Sequence, residues 1–132
     1  MDERREQQPE MSVGELSRRA GVKASTVRFW DEHGLLSSWR TPGNQRRFDD
    51  VSLAQVLFIR WSQDVGASLD AIRDVLHKLP AGTAPGREVQ VRAARCWREH
   101  LDQQRRELHA RYRRLSQPLA LHGVDTPDAA AT

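Results

Sequence analysis

A few short runs of side chains supply the donors that could grip an anionic polymer. Ser25, Thr26 and Arg28 lie within one turn of each other if the segment is helical. Arg40, Arg46 and Arg47 flank the run Thr41-Pro42-Gly43-Asn44-Gln45, and Arg18, Arg19 and Lys23 precede both groups. Arginine can fork two N–H groups onto guanine or clamp a phosphate, and serine and threonine hydroxyls reach either. No comparable set serves catalysis. There is no phosphate-binding glycine loop and no Ser-His-Asp grouping, and the five His are scattered. An enzyme is not expected. The chemistry on offer is non-covalent recognition of nucleic acid.

The residues around these donors predict how they would be held. Ser12 followed by Glu15 reads as a capping box. Val13, Leu16 and Ala20 then share one helix face. Ala20-Gly21-Val22 stops that helix, because Gly21 can take the left-handed conformation the stop needs. A second helix is expected from about Ala24 to His33, with Val27, Phe29 and Trp30 packing inward and Ser25, Thr26 and Arg28 outward. Gly34 ends it. Two helices joined by so short a turn cannot lie parallel, so the second projects, as a recognition helix must. Pro42-Gly43-Asn44 is turn chemistry. The arginines on either side make a cationic hairpin, with Phe48 as its expected anchor in the core. The predicted unit is a helix-turn-helix with a wing, a device for holding duplex DNA. Arg18, Lys23, Ser25, Thr26 and Arg28 are its candidate contacts from the helices. Arg40, Asn44, Gln45, Arg46 and Arg47 are its candidates from the wing. Lys23 stands where a Ser or Thr cap would be expected, which weakens the helix start but adds a charge for phosphate. Arg46 has a second reading, as a donor to the domain's own carbonyls.

Charge supports this placement. The net charge of +3 is unevenly spread. Residues 11–48 carry seven Lys/Arg against three acids, residues 49–80 three against five, and residues 87–114 nine against four. A basic block over the recognition region favours a polyanion partner. With 30% charged residues and a mean hydropathy of −0.72, a chain of 132 residues buries a modest core and gains from an oligomer. A single cysteine, Cys96, leaves no intramolecular disulfide. No apolar run reaches membrane-spanning length, and the N-terminus lacks a signal peptide's apolar core. A cytoplasmic, nucleoid-associated protein with no membrane partner is expected.

Residues 1–10 read as a flexible lead, 11–80 as the winged domain, 81–86 as a linker, 87–119 as a dimerisation helix and 120–132 as a flexible tail. Within the domain, Asp49 is the expected cap of a third helix, whose Val51, Leu53, Val56, Leu57, Ile59 and Trp61 make it largely buried. Ser68 caps a fourth, with Leu69, Ile72, Val75, Leu76 and Leu79 at helical spacing. Pro80, Gly82, Pro85 and Gly86 form the linker. In the long helix Ala94, Leu101, Leu108 and Leu115 recur every seven residues, with Trp97 at the partner position and Tyr112 widening the seam. So long a helix with only a seam to bury is expected to pair with its copy in a homodimer.

These residues resemble the MerR family of bacterial transcription regulators. The resemblance is carried by Val13-Gly14-Glu15-Leu16-Ser17 and Gly21-Val22, by Thr26 through Leu36, by Gly43-Asn44-Gln45-Arg46-Arg47-Phe48, and by Gly66 through Ile72. It covers roughly residues 11–119. The wing run, Leu79-Pro80 and Trp97-Arg98-Glu99 look most like the SoxR branch, which senses redox-active compounds through an iron–sulfur cluster. The resemblance implies a mainly α fold, a winged helix-turn-helix followed by a long helix paired as an antiparallel coiled coil. It adds Trp30 to the DNA contacts, although the family usually has Tyr there and indole offers a single N–H donor; core packing is the other reading of Trp30. It also implies a dimer on an inverted-repeat promoter site, kinking and untwisting the DNA so that RNA polymerase engages both promoter elements. An architectural or excisionase-like DNA-bending protein is the rival reading.

The sensor is less legible. Iron–sulfur clusters are held mostly by thiolates. The expected segment reads Leu119-Ala120-Leu121-His122-Gly123-Val124-Asp125 and has no Cys, so the cluster is excluded, and no metal site is expected. Cys96, Trp97 and Leu79 are the candidates for a redox switch or a small apolar effector; control by abundance with no effector is the alternative.

Overall fold

The computed structural model describes residues 10–119. Two short helices, α1 (Val13–Ala20) and α2 (Ala24–Glu32), precede a hairpin of β1 (Trp39–Arg40) and β2 (Arg46–Arg47). Helices α3 (Asp50–Asp64), α4 (Leu69–His77) and α5 (Arg87–Arg114) follow. The helix ends obey local chemistry. Ser12 Oγ accepts from Glu15 N–H at 3.2 Å, and Gly21 closes α1 in the left-handed region at φ 69°. The capping box expected at Ser12 is only half made, since the Ser12 hydroxyl faces the Glu15 carboxylate at 3.4 Å. The reciprocal box is at α3: Asp49 Oδ1 accepts from Ser52 N–H at 3.2 Å, and Ser52 Oγ accepts from Asp49 N–H at 3.1 Å. Ser68 caps α4 as expected, accepting from Ala71 N–H at 3.1 Å.

Met11, Leu16, Val27, Leu35, Phe48, Val56, Ile59 and Ile72 are fully or almost fully buried, which places one core beneath both helices of the helix-turn-helix, the hairpin, α3 and α4. Each large apolar side chain removed from water here contributes about 1.5–3 kcal/mol before entropy is counted. On α3 the pattern differs by one residue from expectation. Phe58 is buried, while Leu57 turns outward at 48% exposure.

The antiparallel hairpin pairs Trp39 with Arg47 and Arg40 with Arg46. At its base Met11 and Phe48 exchange two backbone bonds of 2.8 Å, so residue 11 lengthens the sheet by one rung. The loop leading into the hairpin is fastened to α3. Gln55 accepts from Ser37 N–H at 2.6 Å and donates to Ser37 Oγ at 3.0 Å, and the Ser52 hydroxyl donates to Ser37 O.

The chain divides into two compact units, residues 1–101 and 102–132. The boundary expected at residues 81–86 therefore lies inside the first unit. Its last element is the start of α5, whose Val89, Ala93 and Trp97 stand four residues apart and are buried. The described part of the second unit is the rest of α5. The helix ends at Arg114 rather than near residue 119, and its last turn tightens through Ser116 N–H to Arg113 O and Gln117 N–H to Arg114 O, just before Pro118.

Candidate nucleic-acid interface

Helix α2 begins with no side-chain cap. Lys23 occupies the N-cap with extended backbone, and its carbonyl accepts from Thr26 and Val27 N–H at 3.0 and 3.1 Å. The helix start is thus left to backbone partners, and the positive end of the dipole sits beside an exposed ammonium. Ser25 and Arg28 are exposed and Thr26 is half-buried on the same helix. Arg18 is exposed near the end of α1. Among the described residues Arg18, Lys23 and Arg28 meet no side-chain partner, so their donors face solvent.

Two candidates are corrected by the structure. Trp30 is 3% exposed and belongs to the core beneath α2, so its indole presents no face to DNA. The outward aromatic is its neighbour Phe29, 43% exposed and stacked on His33 with ring centroids 4.0 Å apart. The helix turns 100° per residue, and Val27 and Trp30, three apart, take the inner face. Arg46 is turned back onto the protein, where its Nε donates to Asp31 Oδ2 at 2.8 Å. It bonds a carboxylate, not the carbonyls considered above.

The other wing residues stay at the surface but are braced. Arg40 Nη1 donates to the Asn44 carbonyl at 3.2 Å and to Asn44 Oδ1 at 3.3 Å. Asn44 holds the turn at φ 66°, a conformation asparagine tolerates better than most residues. Arg47 donates to Gln45 Oε1 at 3.0 Å and approaches Glu10 at 3.8 Å. Such exposed contacts cost little to exchange for a phosphate.

Three basic side chains that no local pattern revealed hold the helix-turn-helix from behind. Arg60 Nη1 donates to Ala20 O at 2.7 Å, at the end of α1. Arg73 Nε donates to His33 O at 3.0 Å and His77 Nε2 to Gly34 O at 2.9 Å, at the end of α2. Helix ends leave carbonyls that need partners, but these partners lie some forty residues away in sequence, where periodicity gives no signal.

The long helix splits the expected seam. Trp97 is 9% exposed and Ala94 half-buried. Trp97 packs within its own compact unit, which corrects its assignment to the intersubunit seam. Leu101, Leu108, Tyr112 and Leu115 are 41%, 60%, 71% and 82% exposed. The sensor candidates do not converge. Leu79 and Cys96 line a groove of about 300 Å³ with Lys78 and Arg92, whereas Trp97 lines a separate one of about 230 Å³ with Trp61 and Leu101. No group of three metal-ligating side chains occurs among the described residues. The lone Cys96 is exposed on α5 and cannot supply the thiolates an iron–sulfur cluster needs, so the chain as given does not fit that cofactor. Among the described residues no helix is long and apolar enough to cross a membrane.

The residues that build this helix-turn-helix and wing also match known family models. The model described as MerR HTH family regulatory protein matches residues 11–79, and one described as MerR, DNA binding matches residues 53–117. The chain belongs to the MerR family. Members of that family are helix-turn-helix, DNA-binding transcription regulators rather than enzymes. Among curated relatives, this MerR-family chain is 33% identical over 93 residues to an HTH-type transcriptional activator SoxR homolog of Chromobacterium violaceum, covering 70% of this chain and 63% of that protein. It thus spans less than two thirds of that relative's length. Among solved structures it resembles the regulator PbrR691 from Ralstonia metallidurans in complex with lead(II), at 33% identity and a TM-score of 0.59, covering 80% of this chain and 82% of that one. It also resembles HiNmlR, a MerR family regulator lacking the sensor domain, bound to promoter DNA, at 25% identity and a TM-score of 0.56, covering 79% and 78%.

Proposed function

We propose that this chain regulates transcription by binding an inverted-repeat promoter site as a homodimer and distorting the DNA between its half-sites for RNA polymerase. The observation that carries the reading is the arrangement of donors: Arg28 and Ser25 are exposed on α2, while Arg40 and Arg47 are braced on a wing whose base is in the core. A helix supplies base-edge contacts in the major groove, and a wing supplies flanking phosphate contacts. The relative solved on promoter DNA lacks a sensor domain, so DNA binding in that protein needs none.

The homodimer is supported by Leu108, Tyr112 and Leu115, which recur at four- and three-residue steps at the end of α5 and are 60–82% exposed. An apolar stripe of this regularity is the seam of a coiled coil. Any effector would be a small molecule held without a cluster, and the groove of about 300 Å³ beside Leu79 and Cys96 is one candidate place for it.

Hydroxyl-radical footprinting and circular-permutation mobility shift test the reading, on a duplex selected by the protein from a random pool. Two symmetric half-sites with an altered mobility between them are expected. A single half-site bound by monomer refutes the homodimer. Bending without sequence preference favours the architectural alternative.

A further inference from the structure

Asp31 lies in the last turn of α2, three residues beyond Arg28. Its side chain is 7% exposed, and each of its oxygens is taken by a different leg of the wing. Oδ1 accepts from Ser38 Oγ at 2.6 Å, just ahead of β1. Oδ2 accepts from Arg46 Nε at 2.8 Å, in the first residue of β2. The two legs pair with each other through Arg40 and Arg46. Recognition helix, leading leg and returning leg are therefore tied at one carboxylate.

A hairpin of two-residue strands has little stiffness of its own. Its base is fixed by Phe48 in the core and by the Met11 bridge. One fixed point leaves a hinge; a second, on the recognition helix itself, sets the angle. A buried carboxylate is tolerated only when paired and hydrogen-bonded, and Ser38 and Arg46 meet both needs. They also neutralise an acid that would otherwise repel phosphate beside a DNA-facing helix.

We infer that Asp31 is a positioning residue for DNA recognition. Through Arg46 and Ser38 it sets the wing's distance and angle to α2, and so how the wing meets the DNA flanking the sequence that α2 reads. Arg46 acts inside this lock, and Arg40 and Arg47 are the wing's contacts. The inference rests on the DNA-binding reading above.

The test uses the full chain and a labelled duplex selected by the wild-type protein from a random-sequence pool. Asp31→Asn and Arg46→Ala are each expected to weaken binding about tenfold, which is about 1.4 kcal/mol. Both should lose hydroxyl-radical protection on the flanks and keep it at the centre, with circular dichroism unchanged. Asp31→Glu should recover flank protection. If Asp31→Asn is unfolded, the Arg46→Ala footprint decides. The opposite result is equally clear. Tighter binding by Asp31→Asn, with a salt slope reduced by roughly one only in Arg46→Ala, makes Arg46 a phosphate contact that Asp31 restrains. Unchanged flank protection in Arg46→Ala makes the lock dispensable. Either overturns the inference. If the wild-type chain selects no sequence and binds DNA without salt dependence, the DNA-binding reading itself fails, and the inference with it.

Discussion

Ser52 and Ser62 stand ten residues apart on α3, and both are 0% exposed. Replacing each with alanine should shift stability in opposite directions. Ser52 Oγ accepts from Asp49 N–H at 3.1 Å and donates to Ser37 O. Ser52→Ala removes half of the capping box and leaves that N–H and that carbonyl without their partner. A lost cap costs about 1 kcal/mol, and an unsatisfied buried group costs about 1–3 kcal/mol. Alanine returns at most about 0.5 kcal/mol of helix propensity, so the net loss should be about 1.5–3.5 kcal/mol. Ser62 Oγ is buried with no hydrogen-bond partner. Ser62→Ala removes an unsatisfied hydroxyl and gains the same propensity, for a net stabilisation of about 1 kcal/mol. Urea unfolding at a fixed protein concentration measures both, and equal m-values license the comparison. Ser52→Ala within ~0.5 kcal/mol of wild type would refute the hydrogen-bond accounting at Ser37. Loss of stability in Ser62→Ala would mean that its hydroxyl has a partner after all.

Three further outcomes follow from the same structure. Arg28→Ala should weaken DNA binding and lower the salt slope by roughly one if it clamps a phosphate, or change base preference at one position if it forks onto guanine; a salt titration with repeated selection separates the two. If the proposed homodimer forms through the exposed stripe, Leu108→Glu should yield monomer in sedimentation equilibrium, because a charge would enter that stripe. Trp97→Ala should instead cost about 3–5 kcal/mol of stability, as for a large aromatic lost from a core, since Trp97 packs within its own compact unit.

The elements were legible where local chemistry decides them. Gly21, Asp49 and Ser68 mark helix ends by their own side chains or by glycine's freedom, and each marks one in the structure. The misreadings share a cause. Arg46 and Trp97 were assigned by residue type and register, and Trp30 joined the contacts through the family resemblance against its own inward-packing reading, but what each touches is set by tertiary packing. Val27 and Trp30 share the inner face of α2, whereas Phe29, expected inward with them, faces out at 43% exposure, and a single acid on that helix claims a wing arginine. The clamps from Arg60, Arg73 and His77 were invisible for the same reason: a long-range side chain to a helix end leaves no periodicity.

Charge counting has the same weakness, and it bears on how the interface works. The seven cations of residues 11–48 suggest a uniform basic surface, yet the structure sorts them. Arg46 is held by a buried acid, and Arg40 and Arg47 are braced by Asn44, Gln45 and Glu10. Arg18, Lys23 and Arg28 have no side-chain partner among the described residues. The helices therefore carry donors that must still be ordered on binding, at about 0.5–1.5 kcal/mol for each immobilised long side chain. The wing carries its donors on a scaffold fixed at Phe48 and Asp31, so its backbone, though not the exposed side-chain contacts exchanged for phosphate, is ordered beforehand. Such preorganisation gains affinity by lowering the ordering cost, not by adding contacts. On this division the wing anchors the chain beside its site at small entropic cost, and α2 is left to discriminate among sequences. Loosening the wing should then reduce affinity for all duplexes alike, whereas changes on α2 should alter which duplex is preferred.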